Sequence, residues 1–306
     1  MTMQHPLLSL LLCLCVTSAA AQSLYFTSGV ANSSGNVTLV AKGTSLTNVG
    51  CVLERLNSTN QVWETQSSFI ITNGASSVTL NSSLHNGFYG FFRARSTNNV
   101  YKSTNAFGAF LGYLENGYSL IGNPFGSSIH TNFFPAPVAG LSVLKWNSST
   151  TNFVTSDYTG SAWSTNFTIG ECEGLFAYNP TTNLVKCLFG GLFVTNAITK
   201  SLATGLSLIT TPRYQLISSA ALTTDILSAL SPAGAAGLPV LTSGFCYQSE
   251  IQKYIPASGT YSKHVLSTNS VWLENGVVEP VSINFLEGFF VSLPTNVTWS
   301  VTRTIW

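Results

Sequence analysis

Hydrophobic positions recur along this chain at every second residue over short stretches, and the 3.6-residue rhythm of amphipathic helices is nearly absent. Residues 36–42, 51–57, 68–73 and 77–81 form four such runs, bounded by Asn, Ser, Thr and Lys. A fifth, over 88–95, puts Phe88, Phe92 and Ala94 on one face and Tyr89, Arg93 and Arg95 on the other. Strands at this spacing predict a small β-sandwich over residues 22–104, with its boundary near Ser96-Thr97-Asn98-Asn99. One helix is expected over residues 225–230, with Thr224 as N-cap and Pro232 just past its end. The fold class is all-β, with one or two short helices.

The remainder repeats itself. Asn116-GYSLIGNP corresponds to Thr204-GLSLITTP, Trp146 and Phe153 to Tyr247 and Tyr254, and Trp163 to Trp272. Glu173-Gly174-Leu175-Phe176 corresponds to Glu287-Gly288-Phe289-Phe290. Two related β-rich modules are therefore expected, over 105–200 and 201–306, with insertions in the second. That ordered set (Gly-Tyr/Leu-Ser-Leu-Ile-x-x-Pro, an aromatic pair, a Trp, then Glu-Gly-Leu/Phe-Phe) resembles a module found in tandem in uncharacterised secreted bacterial proteins. In those proteins the second copy ends on a Trp-x-x-x-Arg segment, which Trp299 to Arg303 resembles. The chain departs from the pattern at Cys172 and Leu175, and at Thr210-Thr211 where the first copy has Gly122-Asn123. The resemblance implies secretion and a β-rich fold, and no activity.

Residues 6–16 form an apolar run of signal-peptide length, and Ala19 and Ala21 complete an Ala-x-Ala cleavage pattern. Residues 1–21 thus read as a leader, with the mature chain starting at Gln22 and delivered to the extracellular space or cell surface. Its n-region lacks Lys and Arg. No later stretch is long and apolar enough for a membrane helix. An outer-membrane barrel strand at the C-terminus is not indicated, because Thr304, Thr302, Ser300 and Thr298 share the face of Trp306, and Arg303 interrupts the opposite face of Ile305, Val301 and Trp299.

Composition narrows the chemistry. Of 306 residues 45% are hydrophobic and only 8% charged, with a net charge of +1. There is no basic footprint for nucleic acid. Seven Asn-x-Ser/Thr sequons occur, but 24 Asn among 75 Ser and Thr predict about six by chance, so glycosylation does not follow. Four cysteines remain after the leader. Cys172 and Cys187 flank the turn at Asn179-Pro180-Thr181-Thr182, where a hairpin would make them a disulfide candidate, while Cys51 and Cys246 read as buried small hydrophobes. No metal cluster, cofactor motif or catalytic signature stands out. Ser142 and Lys145 match Ser-x-x-Lys formally, but on a strand they face opposite ways.

Two candidates for function remain. Glu171 and Glu173, two apart on an expected strand, could form a glycosidase-like carboxyl pair, and Glu173 recurs as Glu287. The repeated aromatics Trp146, Trp163, Tyr247 and Trp272 could instead stack on uncharged glycans. Against both stands the plainer reading that repeated aromatics are core and that the glutamate secures a strand end. The expectation is a secreted structural or adhesive surface protein without catalytic activity, whose partners are further copies of itself or extracellular polysaccharide. The alternative is a carbohydrate-binding protein or weak glycoside-active enzyme.

Overall fold

The computed structural model describes residues 22–57, 62–74, 77–85, 89–194, 197–210, 223–225, 248–267, 272–278, 282–284 and 286–302. The expected leader, Tyr247, Cys246, Arg303 and residues 226–230 of the expected helix lie outside them. Thr224 and Asp225, expected to start that helix, lie in a strand instead. Among the described residues the only helical element is a 3-10 turn, His130–Phe133.

Six strands open the chain: β1 (Ser23–Ala31), β2 (Asn36–Thr44), β3 (Val49–Leu56), β4 (Trp63–Ile71), β5 (Ser77–Ser83) and β6 (Tyr89–Ser96). Then come β7 (Asn105–Leu114), β8 (Gly117–Asn123), β9 (Ser128–Ile129), β10 (Ser142–Asn147), β11 (Asn152–Asp157), β12 (Thr168–Ile169), β13 (Glu173–Asn179) and β14 (Val185–Val194). The last third holds β15 (Ala197–Leu202), β16 (Gly205–Thr210), β17 (Thr223–Asp225), β18 (Glu250–Ile255) and β19 (Thr260–Leu266). It ends with β20 (Trp272–Glu274), β21 (Val277–Val278), β22 (Ser282–Asn284), β23 (Gly288–Leu293) and β24 (Val297–Thr302).

A three-stranded sheet, β1-β2-β5, covers one face of a five-stranded sheet, β14-β7-β6-β3-β4. Alternation dictates what faces inward. Val37, Leu39 and Ala41 of β2 are buried in the shared core, whereas Thr38, Val40 and Lys42 are not. The five-stranded sheet is apolar on both faces because it serves two cores. Phe107, Ala109 and Leu111 of β7 enter the first core, and Ala106 and Leu114 enter a second. That second core also takes Cys187 and Phe189 of β14, Val143 of β10 and Leu175 of β13, so it welds the sandwich to the repeats.

This layout moves the expected boundaries. The segment 96–99 is a turn inside the sandwich, closed by the Asn99 N–H donating to the Ser96 carbonyl at 2.9 Å. Strands β7 and β14, which the sequence places in the first repeat, complete the sandwich sheet. The 200/201 boundary is crossed as well, since a single ten-stranded sheet runs through both repeats. A buried ion group also lies on the sheet face opposite the first core. Glu54, 3% exposed, accepts from Arg93 Nε at 2.6 Å and Arg95 Nε at 2.9 Å. Burial alone would raise the Glu54 carboxyl, but hydrogen bonds and charge from Arg95 and Arg93 outweigh it and hold it below the ordinary value. Removing one partner of such a group costs about 3–5 kcal/mol.

Two segments of the chain pair their strands in the same pattern. Strands β8, β10, β11 and β13 recur as β16, β18, β19 and β23, and the β9–β12 ribbon recurs as β17–β22. The copies join reciprocally. Gly122 N–H donates to the Leu286 carbonyl at 2.8 Å, and its equivalent Thr210 N–H donates to the Cys172 carbonyl at 3.1 Å. Cys172 and Leu286 are themselves equivalents, and both adopt positive φ (58° and 63°), which bulky residues rarely do. That turn aims each carbonyl at the other copy. Between them there is room for one side chain only: a Cβ on Gly122 would lie 2.1 Å from Thr210 Cβ. This is why the second copy departs from the Gly-Asn of the first.

Gly122→Thr should therefore lose about 1–3 kcal/mol of stability through overpacking. The exchange Gly122→Thr with Thr210→Gly should recover most of that loss, a coupling readable in a double-mutant cycle by urea denaturation. Simple additivity of the two losses would contradict the packing relation.

Candidate functional site at the joint of the repeats

Each copy brings a lysine to its glutamate at the joint. In the first, Glu173 opens β13 and takes the Gly170 N–H on Oε2 at 2.6 Å. Lys145 Nζ lies 3.2 Å from both carboxylate oxygens and donates to the Thr168 carbonyl at 2.6 Å. In the second copy Lys253 Nζ lies 3.4 Å from Glu287 Oε1. Neither lysine belongs to the repeated motifs read from the sequence. The aromatic pairing read there was one step out of register, because the structure equates Trp146 and Phe153, cross-strand partners on β10 and β11, with Tyr254 and Tyr261 on β18 and β19. Lys145-Trp146 then matches Lys253-Tyr254, a dipeptide signal that the seven-residue spacing alone did not resolve.

The glycines that follow the two glutamates are required by close approach. A Cβ on Gly174 would come within 2.8 Å of Leu208 Cγ, and one on Gly288 within 2.7 Å of the Ile121 carbonyl oxygen. On the same face Leu120, Phe176, Leu208 and Phe290 form a buried cluster drawn from both copies. The aromatics cross over: Trp146 packs edge-on against Phe290 (5.8 Å), and Tyr254 against Phe176 (5.3 Å). Trp146 Nε1 also donates to the Leu206 carbonyl at 2.8 Å. Each well-placed ring pair adds about 0.5–1.5 kcal/mol beyond its buried area. Phe153 and Tyr261 close the cluster at its rim, 38% and 43% exposed.

The other expected site residues have different fates. Trp272 is 1% exposed, so it is core and not a stacking platform. Trp163 packs edge-on against His130 at 4.8 Å and lies 5.3 Å from Tyr158, half-buried at the margin of the second core. Tyr247 lies outside the described residues. Glu171 and Glu173 do not share a strand face, because the positive-φ turn at Cys172 precedes β13 and interrupts the alternation on which that pairing depended. The expected Cys172–Cys187 bridge is also corrected: the two are buried and not bonded to each other, and Cys51 is buried as well. No hairpin joins β13 to β14. Asn179 Nδ2 donates to the Leu114 carbonyl at 3.2 Å, so the turn carries the chain from one sheet to another, and the two strands pair with β8 and β7. Ser142 and Lys145 diverge as expected, the first to Asp157 (2.5 Å) and the second to Glu173.

His130 is fully buried, stacked on Phe167 at 4.3 Å, with Nδ1 3.2 Å from the Phe167 carbonyl oxygen and no partner for Nε2. Burial lowers its pKa, although the Phe167 carbonyl contact opposes the shift. Among the described residues no three His, Cys, Asp or Glu side chains gather as a potential metal site, and no helix is long and apolar enough to cross a membrane. No family model, curated protein or solved structure matches the chain.

Two outcomes follow from these environments. Denatured without reductant, Cys51, Cys172 and Cys187 should all alkylate with iodoacetamide. In the folded chain Cys187, whose thiol burial pushes up to about 12, should stay unmodified; recovery of a cross-linked Cys172–Cys187 peptide would contradict the fold. The neutral form of His130 is the one the fold accepts, so the unfolded chain binds the proton more readily. Stability should accordingly fall as pH drops below about 6.5, the ordinary histidine value, and His130→Phe should flatten the melting temperature between pH 7 and pH 5.

Proposed function

We propose that this chain is a secreted structural or adhesive surface protein, acting through assembly or attachment and not through catalysis. The observation that carries the reading is how the recurring residues are used. The Gly-rich strand ends, the glycines of the two Glu-Gly pairs and the crossing aromatics all serve the contact between copies. Duplication here makes a larger rigid block, which suits a building element. The neutral, hydroxyl-rich composition and the low charge agree, since few charges stand guard on β11 and β21, which end the ten-stranded sheet among the described residues.

The test is hydrodynamic. Purified chain from Gln22 onward should form concentration-dependent oligomers in analytical ultracentrifugation, or adsorb to cell-wall polymer in a pull-down. A strict monomer at high concentration that binds no surface would remove the reading. A second reading, carbohydrate binding, is favoured by a cleft of about 400 Å³ beside Lys145, Trp146 and Glu173.

A further inference from the structure

The cleft beside the first Lys–Glu pair has a chemistry of its own. Its walls include Trp146, Phe167 and Val154 on the apolar side, and Lys145, Glu173 and Asn147 on the polar side. Its volume, about 400 Å³, falls within the roughly 300–1,000 Å³ of small-ligand clefts. The ion pair remains within reach of solvent, with the Lys145 and Glu173 side chains 27% and 21% exposed.

The hydrogen-bond inventory says what the pair can still take. Lys145 has three donors and three acceptors around it, the Thr168 carbonyl at 2.6 Å and the two Glu173 oxygens at 3.2 Å each. Glu173 Oε2 is taken by Gly170 and Lys145, whereas Oε1 meets only Lys145 and keeps acceptor capacity. The 3.2 Å contact between Nζ and Oε1 is longer than the 2.6 Å bond to Thr168, so it is where a ligand can take a donor from the ammonium while Oε1 accepts from it. Neighbouring hydroxyls on a sugar ring match that arrangement, one accepting from the ammonium and the other donating to the carboxylate. The two charges cancel and no other charged side chain lines the cleft, so an ionic ligand gains nothing over a neutral one. The aromatic wall suits the apolar C–H face of a pyranose.

We infer that the cleft at Lys145, Glu173 and Trp146 is a binding subsite for a vicinal diol of a neutral glycan. The inference rests on the carbohydrate reading and is independent of self-assembly. It also relocates that reading, from the tryptophan platform expected of the sequence to an ion pair that the sequence comparison missed. The second copy repeats the lysine and the glutamate as Lys253 and Glu287, with Tyr254 as the aromatic in place of Trp146.

Isothermal titration of the monomeric fraction of the chain against cello-, xylo-, manno- and malto-hexaose tests it. Binding of at least one is expected, and its loss after periodate cleavage of the sugar's vicinal diols. Glu173→Gln should weaken that binding tenfold or more. Ser148→Trp, a substitution of an exposed residue on the cleft wall, should block it while leaving the ion pair in place. The occlusion variant and the periodate control decide the matter even if Glu173→Gln does not fold. No binding to any of the four sugars overturns the inference, as does binding that survives both substitutions or periodate treatment. Either result leaves the assembly reading standing, and a chain that never assembles leaves this one standing.

Discussion

Two backbone hydrogen bonds, one from Gly122 to Leu286 and one from Thr210 to Cys172, fix how the repeats meet. A bond between backbones leaves little space for side chains, and the local sequence follows from that limit. Glycine stands at positions 174 and 288 because the other copy's strand passes within contact distance. Left-handed residues stand at 172 and 286 because each carbonyl must turn outward to reach its partner. The hand-over of Phe176 and Phe290 to the opposite copy's aromatic then seals the contact. On the axis itself the symmetry breaks, where glycine faces threonine.

The five-stranded sheet imposes the second constraint. Packed on both faces, it has to be apolar on both, and β7 and β14 read accordingly as near-continuous hydrophobic runs. The exception is the Glu54, Arg93 and Arg95 group, where the Arg93 guanidinium lies 4.2 Å from the Trp63 ring centroid. A chain with only 23 acidic and basic residues places three of them there, which deepens the neutrality of its surface.

Much of this was legible. Period-two alternation identified β2, β3, β5 and β6, and placed Phe92 and Ala94 opposite Arg93 and Arg95. The Gly-Tyr/Leu-Ser-Leu-Ile and Glu-Gly motifs marked the start of paired strands in both copies, and Gly117 and Gly205 share φ near 95°. What escaped detection depends on distance in space. Alternation says that β7 is buried on both faces only if the second core is known, so the boundary at 104/105 followed composition and not pairing. A spacing of seven links Tyr247 to Tyr254 as readily as Tyr254 to Tyr261, and hydrogen-bond register alone separates them. The Cys172–Cys187 bridge assumed that a turn implies a hairpin. Asn179, tied to the Leu114 carbonyl on a different sheet, shows how a turn can send the chain elsewhere. Trp272, finally, was a good aromatic on the wrong side of its strand for solvent.

Strand β14 gives the sandwich a late closing time. The sheet that β3 begins is complete only when residues 185–194 arrive, and Lys186 reaches back 153 positions to the Ser33 carbonyl. Contacts of that separation carry a large loop-closure cost before they return any stability, which places such topologies among the slower folders. The first core therefore cannot lock until the chain has been delivered through β14. Its folding is timed by its length.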